Sequence, residues 1–141
     1  FENWTSSTDA EKWTEQGTVD RNTASIQGTY CAKLTAASGS WNYVEQTVTL
    51  PSATTQTAFV AVVKPSAQAM IKVSMDSGST WNTCSIDVTS ITQAADKWVM
   101  LYVNSLVNST STVMVRIYSQ INNTDTGTLY IAACALLEGG I

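Results

Sequence analysis

The feature that most constrains this chain is its punctuation. Short runs rich in Val, Ile, Thr, Tyr and Trp recur from one end to the other, cut by Gly, Ser, Asn, Asp and Pro, while apolar residues at helical spacing are nearly absent. Runs of this kind form a sheet only if one face of each is buried, and many of them in one chain read as a sandwich or jelly roll. Strands are expected near residues 1–5, 18–21, 29–36, 41–50, 57–64, 69–76, 83–88, 97–104, 112–119 and 128–138, with 91–96 a loop or one helical turn. Pro51 and Pro65 fall at strand ends, where a missing N–H does least harm. The expected fold is all-β, a jelly-roll sandwich of two antiparallel sheets.

Period-two alternation assigns the faces. Val44, Val48 and Leu50 share one face with Gln46, whereas Trp41, Tyr43, Glu45, Thr47 and Thr49 share the other. Val113, Val115 and Ile117 oppose Met114, Arg116, Tyr118 and Gln120, and Val99, Leu101 and Val103 oppose Trp98, Met100, Tyr102 and Asn104. Several strands thus carry an aliphatic face and an aromatic-and-polar face.

At 141 residues the chain suits one domain, 1–141, with no internal repeat or linker. Its start at Phe1 and its Glu138-Gly139-Gly140-Ile141 end suggest a module of a larger protein. Charged residues are only 13% and the net charge is −4. Seven scattered Lys and Arg do not make the basic patch that nucleic acid or an anionic membrane requires. No apolar run approaches the ~20 residues of a membrane span. The three cysteines, Cys31, Cys84 and Cys134, fit no zinc spacing and read as apolar packing, with Cys31 and Cys134 able to bridge if their strands are neighbours.

Catalytic chemistry is poorly supplied. The chain has no His, no Gly-rich phosphate loop, and eleven acids with no spacing that marks a catalytic pair, so it is read as not an enzyme. Ser74-Met75-Asp76-Ser77-Gly78-Ser79-Thr80-Trp81 matches the Asp-box pattern S-x-D-x-G-x-T-W at every fixed position. A single copy in a chain too short for a propeller reads as a stable hairpin, with Asp76 accepting from the turn backbone and Gly78 taking positive φ.

Five Trp and five Tyr are the main functional signal. Aromatic rings with amide and charged side chains suit the apolar faces and hydroxyl rims of sugars. Trp41, Tyr43, Tyr102, Arg116, Tyr118 and Gln120 are the candidate ligand-binding residues, because they face away from the aliphatic side. Trp4, Trp13, Trp81 and Trp98 are read as packing residues. The same enrichment also suits a structural or assembly module whose aromatic face meets a partner subunit.

Several segments, in order, resemble the β-sandwich carbohydrate-binding modules attached to xylanases and glucanases. Phe1-Glu2-Asn3-Trp4 is similar to their opening G-F-E-x-W strand, Gly28-Thr29-Tyr30-Cys31-Ala32-Lys33-Leu34 to their G-x-Y/S-x-L-x-L strand, and Gln46-Thr47-Val48-Thr49-Leu50 to their Q-x-V-x-L strand. Lys97-Trp98-Val99 resembles a late Trp strand, and Leu129-Tyr130-Ile131-Ala132-Ala133-Cys134-Ala135-Leu136 resembles the closing L-Y-I-D-x-x-x-L strand. The resemblance implies a galactose-binding-domain-like jelly roll and a poly- or oligosaccharide partner. It also implies a structural calcium held by Glu2 and by an Asp; this chain departs from that pattern with Ala132 at the Asp position, which removes one carboxylate ligand, and no cofactor is expected to be required. The ending Ala135-Leu136-Leu137-Glu138-Gly139-Gly140 is similar to the L-E-x-G close of accessory domains in phage tail fibres, which implies a virion or extracellular setting and other virion or surface subunits as further partners.

Overall fold

The computed structural model describes residues 1–50, 56–107 and 110–138. In chain order its strands are β1 (Trp4–Ser6), β2 (Asp9–Ala10), β3 (Thr14–Gln16), β4 (Thr18–Asn22), β5 (Cys31–Ala36), β6 (Tyr43–Thr49), β7 (Gln56–Pro65), β8 (Gln68–Ser74), β9 (Asn82–Asp87), β10 (Val99–Val107), β11 (Thr112–Tyr118) and β12 (Gly127–Glu138). The helical element among the described residues is a 3-10 turn at Thr92–Ala94, within the segment expected to be a loop or one turn.

Two five-stranded sheets form the sandwich. The first runs β10-β7-β12-β5-β4, the second β3-β6-β11-β8-β9, and β1 with β2 makes a separate small ribbon. Every pairing is antiparallel. The alternation read from sequence sets the interior. Val44, Ile71, Val73, Val113, Val115 and Ile117 of the second sheet pack with Leu34, Phe59, Ala61, Val63, Leu129 and Ile131 of the first. Each Val, Leu, Ile or Phe side chain so buried contributes about 1.5–3 kcal/mol of transfer free energy.

The structure corrects the expectation at several edges. The opening strand starts at Trp4 rather than Phe1, and β2 and β3 had no sequence signal. They are two and three residues long and mostly solvent-facing, so they carry no alternation to read. Trp41 and Trp98 precede β6 and β10 instead of lying within them. Pro65 ends β7. Pro51 and the Gly139-Gly140-Ile141 end lie outside the described residues. The three cysteines are free thiols, so Cys31 and Cys134 are not bridged although β5 and β12 are neighbours. Burial pushes the Cys134 thiol up to about 11.

One buried polar group joins the two sheets. The chain leaves β3 in the second sheet and enters β4 in the first through Gly17, whose φ is +81°. The Asn42 amide donates to the carbonyls on either side of that glycine, Gln16 and Thr18, both at 3.0 Å. A Cβ at position 17 would lie 2.7 Å from Asn42 Nδ2, so only glycine admits this approach. Asn42 Oδ1 accepts from Ser119 Oγ at 2.6 Å, and Asn42 N donates to Gln120 Oε1 at 2.8 Å. Asn42 is 2% exposed, with every side-chain donor engaged. A buried polar group stripped of its partner costs about 1–3 kcal/mol. Asn42→Ala orphans two carbonyls and a hydroxyl, and it is expected to destabilise the domain by about 2–4 kcal/mol. Urea denaturation checks this, with the midpoint falling at unchanged slope.

Candidate functional site

The outer face of the second sheet carries a dense set of aromatic and charged side chains. Register places them on two adjoining rungs. Arg116 on β11 stands opposite Glu45 on β6 and Lys72 on β8, and Tyr118 stands opposite Tyr43 and Met70. Arg116 Nε donates to Glu45 Oε2 in a close ion pair, and Nη1 donates to the Tyr118 hydroxyl at 3.1 Å. The guanidinium lies over two rings, 4.8 Å from the Tyr43 centroid and 4.5 Å from that of Trp81. Tyr118 packs against Tyr43 at 4.8 Å and edge-on to Trp41 at 5.4 Å. The Lys72 ammonium sits 5.4 Å from the Tyr118 ring and 5.9 Å from that of Trp41.

Partial burial works against the Arg116 charge, but the bonds to Glu45 and Tyr118 outweigh it and hold the guanidinium protonated above its usual range. Burial raises the Tyr118 phenol above its ordinary value, so it is neutral and available as a donor. Each ring–cation contact contributes about 0.5–1 kcal/mol where it is exposed. Their joint effect is to fix the side chains in place before anything binds.

Two devices outside the platform hold its rims. Gln120 Nε2 donates to the Ser40 carbonyl at 3.0 Å while its Oε1 accepts from Asn42 N, so one buried amide grips the backbone on both sides of Trp41. It also donates to Asp125 O at 3.1 Å. On the opposite rim, the Ser74–Trp81 segment is the hairpin between β8 and β9 that its motif predicts. Asp76 Oδ1 accepts from Thr80 N at 2.8 Å and from Ser74 Oγ at 2.9 Å, and Oδ2 accepts from Thr80 Oγ1 at 2.6 Å. Gly78, at φ +93°, turns its N–H onto Ser74 Oγ at 2.6 Å. This turn delivers Trp81 to the guanidinium.

The structure sorts the sequence candidates. Trp41, Tyr43, Arg116 and Tyr118 come together. Tyr118 is only 3% exposed and forms the floor of the cluster, whereas Trp41 is 37% exposed at its rim. Gln120 is a correction: it is fully buried, because the chain turns inward after β11 ends at Tyr118 and breaks the alternation. It positions Trp41 and offers nothing to a ligand. Tyr102 is a second correction. It faces outward and is 51% exposed, but β10 belongs to the first sheet, so it stands beside Met100 on the opposite side of the domain. The sequence reading put Glu45 on the face of Trp41 and Tyr43 but did not name it, Lys72 or Trp81 among the candidates. Lys72 lay on the outward phase of its strand, but the cross-strand register that pairs it with Arg116 was not readable.

Glu2 lies elsewhere. Its Oε1 accepts from Tyr30 N at 3.0 Å and presses on Gly28, where a Cβ would fall 2.0 Å from that oxygen. A cavity of about 520 Å³ there is lined by Phe1, Glu2, Trp13, Gln27, Gly28, Gln46 and Ala132–Cys134. Among the described residues no three His, Cys, Asp or Glu converge on a point that could hold a metal. Glu2 is the one carboxylate lining that cavity and one of its oxygens is engaged by a backbone N–H, which does not fit a calcium ion that takes about 6–8 oxygen ligands.

No protein-family model matches the chain. No curated protein matches it either. Solved structures do. A family 61 carbohydrate-binding module in complex with beta-1,4-galactotriose matches with TM-score 0.63 and 16% identity, over 91% of this chain and 89% of that one. The CBM22-1 xylan-binding domain from Paenibacillus barcinonensis Xyn10C matches with TM-score 0.63 and 17% identity, over 97% and 88%. The enzymatically active domain of tailspike protein 4 from Bacteriophage CBA120 matches with TM-score 0.72 and 9% identity, over 93% of this chain but only 20% of that one. The chain therefore has the β-sandwich fold of carbohydrate-binding modules, as its strand motifs implied.

The Asp76 carboxyl is held below its ordinary value, first by the Thr80 hydroxyl and then by the Thr80 N–H. A depressed folded value means the hairpin's hydrogen bonds are fully present above the unfolded value, about 3.9, and are lost as pH falls through the folded one. The Trp81 indole N–H resonance is expected to shift as pH drops below about 4. That shift should be absent in Asp76→Asn.

Proposed function

We propose that this domain is a non-catalytic glycan-binding module. A sugar ring lies against the exposed rim of the aromatic cluster, on Trp41, Tyr43 and Trp81, with Arg116 and Glu45 bonding its hydroxyls. The observation that carries this reading is the Tyr43–Arg116–Trp81 stack. It is a ring–cation–ring platform tied to Glu45 and Tyr118, on the outer face of a sheet in a sandwich that solved carbohydrate-binding modules share. Sugar sites combine aromatic surface with a few fixed donors and acceptors, and a site already rigid loses little entropy on binding. A single shallow face binds weakly, so copies in an array would supply the avidity.

The setting we propose is extracellular, as a module of a virion appendage or a secreted protein. The tailspike match supports the first of these, since there the matching region is a fifth of a longer chain. We propose that the domain requires no bound calcium, a reading supported by the engagement of Glu2 Oε1 by Tyr30 N.

A glycan array followed by titration calorimetry tests the reading. The domain is expected to bind a defined oligosaccharide, and Trp41→Ala and Trp81→Ala are each expected to weaken it about tenfold, equivalent to ~1.4 kcal/mol of lost ring contact. A folded, multimerised domain that binds no glycan would instead support a structural or assembly module. The thermal midpoint is expected to be the same in excess EDTA and in excess calcium; a rise with calcium would show that a site exists.

A further inference from the structure

The charge pattern on the platform says more than its rings do. The chain has seven Lys and Arg in 141 residues and a net charge of −4, so cations are scarce and on average outnumbered. Two of the seven nevertheless stand directly opposite each other on neighbouring strands, Arg116 on β11 and Lys72 on β8. Like charges in that register repel and destabilise the sheet. Among the described residues only one of the two is neutralised: Glu45, on the far side of β11, pairs with Arg116. Among the described residues, Lys72 has no carboxylate within ion-pair distance; its neighbour across β9 is Thr83.

The order across the sheet is therefore Glu45, Arg116, Lys72, Thr83, with strands about 4.8 Å apart. This gives the platform a polarity. At the β6 side a carboxylate is already present and an anion would be repelled. From β8 the Lys72 ammonium reaches over the Tyr118 ring on β11 and the Trp41 ring, with no counter-ion among the described residues, while Arg116 uses Nε and Nη1 internally. Among the described residues no hydrogen bond engages Arg116 Nη2, which remains able to donate.

We infer that the glycan this face takes is acidic, a saccharide whose ring stacks on the aromatic rim and whose carboxylate lies between Lys72 and Arg116. The ligand's negative charge relieves the cross-strand repulsion, so the interaction is stronger than one exposed ion pair would give. The inference rests on the glycan-binding reading and narrows it from sugars in general to uronic-acid-containing ones.

The test compares uronic acid oligosaccharides with the same oligosaccharides after their carboxyl groups have been reduced to alcohols, so that only the charge differs. The acidic form is expected to bind at least tenfold more tightly than the reduced form. This ratio should shrink as salt is raised, because partly exposed charges are screened. In Lys72→Met, checked for native circular dichroism and melting, the ratio is expected to fall to about one. Equal binding of the acidic and reduced forms, or a preference for neutral oligosaccharides, overturns the acidic assignment and leaves glycan binding standing. A ratio that survives in Lys72→Met overturns the placement of the carboxylate. Binding to neither form, with no other glycan bound on the array, overturns both readings together.

Discussion

The two sheets are held in register by a small set of buried hydrogen bonds centred on Asn42. Aliphatic burial brings the sheets together, but it is non-directional and would tolerate sliding. The Asn42 amide is directional. It clasps the backbone on both sides of Gly17, where the chain crosses from one sheet to the other, and it is clasped in turn by Ser119 and Gln120. Because the Asn42 and Gln120 amides and the Ser119 hydroxyl are all hydrogen-bonded, the network specifies one arrangement; half satisfied, it would be worse than an apolar core.

The same bonds extend to the candidate site. Gln120 links the Asn42 network to Ser40 and so fixes the short segment that carries Trp41. The other rim is held independently by the Asp76 turn, whose hydrogen bonds are local to eight residues and place Trp81 on Arg116. Between them the cross-strand register of β6, β11 and β8 sets the spacing of Glu45, Arg116 and Lys72. Core, hairpin and platform thus form one connected object, and the charged rung is centred on β11, the middle strand of the second sheet.

Much of this was legible in the sequence. The faces of β6 and β11 followed from alternation, and the turn between β8 and β9 followed from the Asp-box. The β2 and β3 strands were not legible, because two or three solvent-facing residues have no pattern. Gln120 was misread for a related reason: alternation was extended two residues beyond the strand that justified it. Tyr102 shows a different limit. Its outward direction was right, but outward has two senses in a sandwich, and alternation does not say to which sheet a strand belongs.

By itself the sequence determined the class of fold, which side chains of each strand enter the core, and the hairpin that ends in Trp81. These depend on period and on local turn chemistry, both written in neighbouring residues. Only the tertiary structure decided that Lys72 stands beside Arg116, that Tyr102 belongs to the far side, and that Gln120 serves Trp41 from within. Those facts depend on strand order and register between segments up to about eighty residues apart, and that choice is made by the packing of the whole sandwich.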